Sequence, residues 1–541
     1  MNNAIFNFTE PGNEPVLTYL QGSAERKMLE EELARQNSQV VDIPLIIGGK
    51  EIRTGRTGKI VNPSDHGHLL ATYHMATEKE VRLAIDAAME AKCEWMSLAW
   101  MERAAIMAKA AELISKKYRY RLNAATMLGQ GKNVFQAEID SACEVIDYLR
   151  FNNYFASLIY MEQPKSENET INRLEYRPLE GFVYTITPFN FTAIAANLNA
   201  SVVLMGNTTV WKPASTAVLS NYYLMKIFEE AGMPAGVMNF VPGSGSLISS
   251  VVLKDRDLAG IHFTGSNPTF NSLWKQIADN LPLYRSYPKI VGETGGKDFI
   301  FAHNSADTLA LATAIVRGAF EYQGQKCSAA SRAYIPKSKW DDTLRSVLKM
   351  IAEIRMGDVT DSDNFVNAVI DEPSFDRIMT YIDMAARSKN AKIIAGGHGD
   401  KSKGFFIEPT LIVTDDPHFV TMEEEIFGPV MTIYVYDDEK YEETLKICDE
   451  TSPYGLTGSI FSNDKYAMIK ACRALRFAAG NFYINDKPTG AMVGQQPFGG
   501  ARASGTNDKA GSHLNLTRWI SPRTIKETLI PAADFRYPYM G

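Results

Sequence analysis

The sequence predicts an α/β protein with parallel sheets covered by helices on both faces. Three observations carry this. From Gly181 the apolar pattern alternates strand, helix, strand, helix as far as Val291, and the alternation restarts at Phe299 and runs to about Asp486. Glycine-bearing turns follow two of the predicted strands and precede helices, at 242–245 and 263–266. The chain has 541 residues, too many for a single core, and ample apolar material at 45%.

Taken in order, residues 1–45 are polar and mixed, with a charged helix over Glu25–Gln36 that reads as a surface wrap. Leu45–Ile47 reads as a strand entering a Gly-Gly turn, and Val61 belongs to another that ends at Pro63. Val81, Ala84, Ile85, Ala88 and Met89 recur at helical spacing over 78–92. Ile106, Ala110 and Leu113 do the same over 101–116, and 138–151 reads as a third helix. In 161–180, Ile171, Leu174 and Tyr176 alternate with charges, which predicts an extended hairpin with one face in need of cover. Beyond it come strands at 182–186, 209–211, 237–241, 260–264 and 289–291, with helices at 192–205, 221–231, 246–253 and 270–279 between them. A final strand-like segment covers 515–530.

The charge balance, 56 basic against 63 acidic residues for a net −7, argues against nucleic-acid binding. No apolar run reaches 18 residues, so no membrane span is expected. The five cysteines are scattered, odd in number and form no CxxC pair, which argues against a disulfide framework and a structural zinc site and fits a reducing compartment. No Lys or Arg precedes Arg26, so the opening does not read as a leader, and a cytoplasmic protein is expected.

The chemistry centres on Cys327, in a small polar turn between a predicted helix (312–320) and strand (332–335). A thiolate there is a reachable nucleophile, and Lys326 beside it could favour that form. Glu293 lies in a Gly-rich turn after a buried strand, where a carboxylate serves as a general base or as a cap. Asn190 follows the strand 182–186; its amide could donate to an oxyanion, or it could N-cap the helix from Thr192. Gly243 and Gly245 in one turn, Thr264, Gly265 and Ser266 in the next, and Lys212 past a third strand end together suit a dinucleotide.

The motifs Thr187-Pro188-Phe189-Asn190, Trp211-Lys212-Pro213, Phe263-Thr264-Gly265-Ser266, Glu293-Thr294-Gly295-Gly296-Lys297, Gly324-Gln325-Lys326-Cys327 and Glu425-Ile426-Phe427-Gly428-Pro429 occur in the order typical of the aldehyde dehydrogenase superfamily. The resemblance covers about 45–525. With Gln495–Lys509, the context Lys326-Cys327-Ser328 and the run Ile186–Thr192, it resembles the branch that acts on L-glutamate γ-semialdehyde, formed when 1-pyrroline-5-carboxylate opens.

The resemblance implies an aldehyde dehydrogenase fold: a Rossmann-like NAD-binding domain from 1–160 and 182–298, an α/β catalytic domain from 299–486, and oligomerisation segments at 161–181 and 511–541. It implies Cys327 as nucleophile, Asn190 and the Cys327 backbone N–H as oxyanion donors, and Glu293 as the base for thioester hydrolysis. NAD is the implied cofactor, held by Thr187, Pro188, Phe189, Lys212, Ser215, Gly243, Gly245, Thr264, Gly265, Ser266, Glu293, Glu425 and Phe427. Many NAD-preferring members carry Glu three residues after the strand-end Lys. Ser215 stands there in this chain and does not repel a 2′-phosphate. Glu144, Phe191, Lys326, Ser328, Gly490, Ala491 and Phe498 are the implied substrate contacts; no metal is implied. The expected partners are the small-molecule substrate and further copies of the chain, in a homodimer or an assembly of dimers. The rivals are a succinate semialdehyde dehydrogenase, a CoA-acylating or phosphate-dependent enzyme, and a non-enzymatic binding protein on the same fold. Retention of Glu293 disfavours the second, and the trio Cys327, Asn190 and Glu293 disfavours the third.

Overall fold

The structure, a computed structural model, describes residues 8–541. Two seven-stranded sheets dominate it. The first runs, edge to edge, through Lys289–Glu293, Leu258–Thr264, Phe182–Ile186, Thr209–Lys212, Met238–Phe240, Leu45–Ile47 and Lys50–Ile52. The first five strands are mutually parallel, and the last two close the edge antiparallel. The second runs through Ala391–Ala395, Thr410–Thr414, Val430–Tyr436, Ala330–Pro336, Asp298–Ala302, Thr457–Phe461 and Asn481–Ile484, parallel except at its Ala391–Ala395 edge. Strands buried on both faces need no polar alternation, and Leu258–Thr264 and Asp298–Ala302 are buried at every residue.

Helix Thr192–Leu204 is buried at all thirteen positions, Asn197, Asn199 and Ser201 included, so it is covered all round rather than on one stripe. Helices Trp100–Leu113, Arg119–Gln130 and Val145–Met161 pack around it in one apolar cluster. Helix Ala24–Asn37 wraps the outside, burying Leu29, Leu33 and Gln36 against Arg119–Gln130. The third predicted helix opens as a π-helical turn, Glu138–Glu144, before continuing as Val145–Met161. No helix among the described residues is long and apolar enough to cross a membrane.

The expected hairpin within 161–180 is a different object. Residues 170–178 form one strand, and its partner is the distant strand Ile520–Thr528, paired antiparallel over nine positions. The alternation of Ile171, Leu174 and Tyr176 marked a strand correctly but says nothing of what it pairs with. Likewise 515–530 is not strand throughout. It starts as helical turns, His513–Leu516 and Thr517–Trp519, and becomes strand only at Ile520. Trp519 is fully buried, its ring 4.7 Å from that of His262, while Asn207 donates to its carbonyl at 2.8 Å.

Candidate active site

The carboxyl ends of the first sheet deliver most of the predicted cofactor residues to one edge. Thr187–Asn190 follow strand Phe182–Ile186, Lys212 ends Thr209–Lys212, Gly243 and Gly245 follow Met238–Phe240, Gly265 and Ser266 follow Leu258–Thr264, and Glu293 ends Lys289–Glu293. Parallel sheets leave their ligand crevice at such an edge. Trp211 Nε1 donates to Thr187 Oγ1 at 3.0 Å, and Ser266 caps helix Asn267–Asp279. Ser215 starts a short 3₁₀ turn.

This edge fits an anionic dinucleotide. The Lys212 ammonium has no carboxylate partner among the described residues, and desolvation pushes its pKa down to about 8. Such a group is stabilised by an incoming anion. A Cβ on Gly245, first residue of helix Gly245–Val252, would lie only 3.9 Å from that ammonium, and the N-cap Ser244 side chain accepts from none of the helix's N–H groups. Free N–H groups and an unpaired cation therefore converge. Glu425, near the second sheet, accepts from Gly296 N at 3.0 Å; burial lifts its pKa to about 7 against the pull of that hydrogen bond and of Lys297. Phe427, at φ 56°, meets the Phe189 ring edge-on at 5.8 Å.

Cys327 sits at the end of a strained elbow. After helix Thr308–Phe320, Tyr322, Gln323 and Gly324 are all left-handed, at φ 52°, 55° and 66°. Non-glycine residues there cost on the order of 1–3 kcal/mol each, so the surroundings must over-determine the turn. They do. Tyr322 Oη donates to Gln130 O at 2.9 Å, and Gln323 Nε2 donates to Gly131 O and Ala368 O at 2.8 and 2.9 Å. The side-chain oxygens Gln323 Oε1 and Gln325 Oε1 accept from Asn367 N and Ile370 N. A Cβ on Gly324 would meet Gly428 O at 2.2 Å, so only glycine fits.

The thiol is 8% exposed, at the floor of a cavity of about 320 Å³. Burial raises its pKa well above the ordinary thiol value, and the Glu293, Asp298 and Glu425 carboxylates push the same way. The resting group is therefore a neutral thiol. The expected help from Lys326 is not what the structure shows. The Lys326 ammonium turns to Glu321 at 3.0 Å, both nearly buried, and is engaged there as an ion pair.

The two readings of Asn190 separate cleanly. Helix Thr192–Leu204 is capped by Asp140, whose carboxylate oxygens accept from Thr192 N at 3.0 Å and Ala193 N at 2.8 Å. Asp140 is itself held by Lys132 at 2.8 Å, both side chains fully buried, with that ammonium 3.9 Å from the Phe191 ring centre. Asn190 caps nothing. Its Nδ2 donates to Gln325 O at 3.1 Å, at the turn that carries Cys327. Glu293 carries one carboxylate oxygen, Oε1, buried without a hydrogen-bond partner among the described residues. Burial lifts its pKa to about 7, with the Lys509 ammonium pulling it down. A carboxyl poised there exchanges protons at neutral pH.

Glu144, Phe191, Glu293, Thr264, Lys326, Ser328, Gly490, Ala491 and Phe498 line the same cavity as Cys327. Ser328 Oγ is 2.8 Å from Thr489 Oγ1, which ties the turn of Cys327 to the loop that carries Gly490, left-handed at φ 95°. Burial and the neighbouring Asp140 carboxylate lift Glu144 to about 8, so it is largely protonated at neutral pH. Sequence reasoning missed Asp140, Lys132, Lys487 and Lys509. Lys509 Nζ bonds Gly480 O and Gly499 O at 2.8 and 3.0 Å, and Lys487 lines the cavity and donates to Thr489 O. None carries a local signal; Lys509 stood in a quoted run, without a role.

The aldehyde dehydrogenase family model matches residues 52–525, and the chain belongs to the aldehyde dehydrogenase family. Within it, the chain is 56% identical to the mitochondrial delta-1-pyrroline-5-carboxylate dehydrogenase of Dictyostelium discoideum, over 99% of this chain and 96% of that one. It is 47% identical to the mitochondrial delta-1-pyrroline-5-carboxylate dehydrogenase of Homo sapiens, over 98% and 94%. The crystal structure of the delta-pyrroline-5-carboxylate dehydrogenase of Mycobacterium tuberculosis bound with NAD superposes with a TM-score of 0.97 at 49% identity, covering all of both chains.

Proposed function

We propose that the chain oxidises L-glutamate γ-semialdehyde, in equilibrium with 1-pyrroline-5-carboxylate, to L-glutamate with NAD, in proline catabolism. The observation that carries this is one cavity holding a thiol, a carboxyl with pKa about 7 and, farther along, a Gly-bearing loop among lysines. The high full-length identity to pyrroline-5-carboxylate dehydrogenases supports it.

Cys327 Sγ, its proton passing to solvent, attacks the aldehyde carbon; the C–S bond forms, the carbonyl π pair moves to oxygen, and the hemithioacetal results as its oxyanion. The Asn190 amide and the Cys327 backbone N–H hold the oxyanion. Bound NAD supplies a hydride acceptor, and the oxidised adduct is a thioester on Cys327. Glu293 takes a proton from water, which attacks the thioester carbon; the carboxylic acid forms and Sγ leaves with a proton. Lys212, Gly245 and Ser266 hold the dinucleotide's phosphates and ribose, with Thr187, Pro188, Phe189, Ser215, Gly243, Thr264 and Gly265 shaping its bed and Glu425 and Phe427 at the nicotinamide end. Ser328, Gly490 and Ala491 receive the α-carboxylate, Phe498 and Phe191 flank the aliphatic chain, and Glu144 faces the amine. Lys326, paired with Glu321, lines the cavity beside the tail.

In this reading 1–160 and 182–298 bind NAD, 299–486 carries the nucleophile, and 161–181 with 511–541 make a homodimer, because the strand pair 170–178 and 520–528 stands as an isolated two-stranded ribbon. Light scattering checks the dimer; a monomeric intact protein would overturn it. All five cysteines are free, which fits a reducing compartment, and we place the protein in the cytoplasm, with cell fractionation as the check. The decisive assay is NADH formation from pyrroline-5-carboxylate beside succinate semialdehyde. Preference for the latter would replace the substrate named here.

A further inference from the structure

One wall of the catalytic cavity comes from a part of the chain with no regular structure. Glu14 and Val16 line it, next to the loop Gly490–Gln496. Residues 8–20 run as an extended strap, yet they are firmly anchored. Glu14 Oε1 accepts from Arg119 at 2.7 Å and Ser115 at 2.8 Å, and Glu14 Oε2 from Arg150 at 2.6 Å. Leu17 N and Tyr19 Oη donate to the buried Glu138 carboxylate at 2.9 and 2.7 Å. An ion pair this buried is costly to break, on the order of 3–5 kcal/mol, so the strap is part of the fold.

Asn13 sits between this strap and the loop. Its amide has two N–H donors and one carbonyl acceptor, and all are used. Nδ2 donates to Asp147 Oδ2 at 2.8 Å and to Val493 O at 2.8 Å, and Oδ1 accepts from Gln495 Nε2 at 2.7 Å. The backbone N–H of Glu14 fills the second Asp147 oxygen at 2.7 Å. Asp147 lies on helix Val145–Met161, so one side chain joins that helix to the loop. Among the described residues, the hydrogen bonds that tie Gly490–Gln496 to a distant part of the chain all end on Asn13. The loop's other hydrogen bonds are local, such as Met492 N to Gln496 Oε1 at 2.9 Å.

We propose that Asn13 is a positioning residue for the loop Gly490–Gln496, so that the strap sets how strongly the enzyme prefers aldehydes with a charged tail over aldehydes without one. This rests on the reading that Gly490 and Ala491 receive the substrate's tail. The reacting end is held by the elbow of Cys327 and by Asn190, neither of which touches the strap. A shift of the loop by about 1 Å therefore loosens the tail and leaves the carbonyl in place.

The test is steady-state kinetics of the full-length protein with glutamate γ-semialdehyde and with propanal. Asn13→Ala is expected to raise KM for the semialdehyde about tenfold, the size of one lost hydrogen-bond contact to an ion. KM for propanal and kcat on both substrates are expected to change less than about twofold. Gln495→Ala removes one of the two bonds between Asn13 and the loop and leaves Asn13's bonds to Val493 O and Asp147 in place; it should shift selectivity in the same direction by a smaller factor, and Asn13→Ala with Gln495→Ala should be no worse than Asn13→Ala alone. Equal losses on both aldehydes in the two single variants, or no selectivity change in Gln495→Ala, would overturn the proposal even if Asn13→Ala folded poorly. Should the wild type take succinate semialdehyde in place of glutamate semialdehyde, the substrate reading falls by itself, and the same variants are compared on succinate semialdehyde and propanal.

Discussion

The turn that carries Cys327 and the loop that carries Gly490 face each other across one cavity, and they are built in opposite ways. The first is held by its own buried side-chain amides, Gln323 and Gln325, which reach out to backbone groups of Gly131, Asn367, Ala368 and Ile370, tightly enough to keep two non-glycine residues left-handed. The second is held by Asn13 and by the contact of Ser328 with Thr489. The difference teaches a division of tasks. On the proposed roles, the atoms that would meet the reacting carbon are fixed by a dense hydrogen-bond network, whereas the loop assigned to the substrate's tail relies on the packing of Val493 and Gly494 and on a few hydrogen bonds.

Four substitutions probe this contrast, from the largest effect to the smallest. Cys327→Ala should abolish NADH formation while leaving NAD binding nearly intact by fluorescence titration, because the cofactor edge lies on the other sheet. Retained turnover in this variant, together with its loss in Cys143→Ala, would reassign the nucleophile. Glu293→Gln should stop after hydride transfer, giving a burst of about one NADH per site and then slow turnover. In the wild type, the deacylation rate should rise with pH through about 7, because burial lifts the Glu293 pKa there and only the carboxylate accepts a proton. The Gln variant should lose that step in the profile.

Asn190→Ala removes a donor whose backbone position is secured by Asp140 rather than by Asn190 itself. It should cost on the order of a hundredfold in rate with little loss of melting temperature. A large drop in stability with a rate loss below a few-fold would mean that the side chain serves the fold. Ser328→Ala crosses to the tail side and should cost about tenfold to a hundredfold in kcat/KM for the semialdehyde, and far less for propanal. Equal losses would place Ser328 with the rigid half of the cavity.

The parts legible in the sequence are those with a local period or a local turn. The alternation from Gly181 onward placed the parallel strands of the first sheet to within a residue or two, because strands buried on both faces read as apolar runs. Cys327, Glu293 and Asn190 stood out because each follows a regular element in a polar or Gly-rich turn. The pairing of 170–178 was not legible, since a strand's own alternation carries no address for its partner. Nor was the cap on helix Thr192–Leu204. Asp140 lies 52 positions from Thr192, inside a π-helical turn that has no pattern of its own. Lys326 misled for a related reason: adjacency to Cys327 in sequence predicted an electrostatic effect, but its side chain spends its charge on Glu321. The strap at 8–20 has neither period nor turn motif, and only the fold reveals that it walls the cavity.

The ribbon between 170–178 and 520–528 bears on how the chain is made. Arg523 and Glu175 pair across 348 positions. At a synthesis rate of about 5–20 residues per second, the earlier strand waits on the order of tens of seconds for its mate to emerge from the ribosome. Through that interval its backbone donors and acceptors stand open, and the pocket that will take Trp519, between His262 and Asn207, stays unfilled. A nascent chain halted short of residue 519 therefore carries both an unpaired edge and a hole in its first core, two marks by which a quality-control protease could tell an unfinished molecule from a finished one.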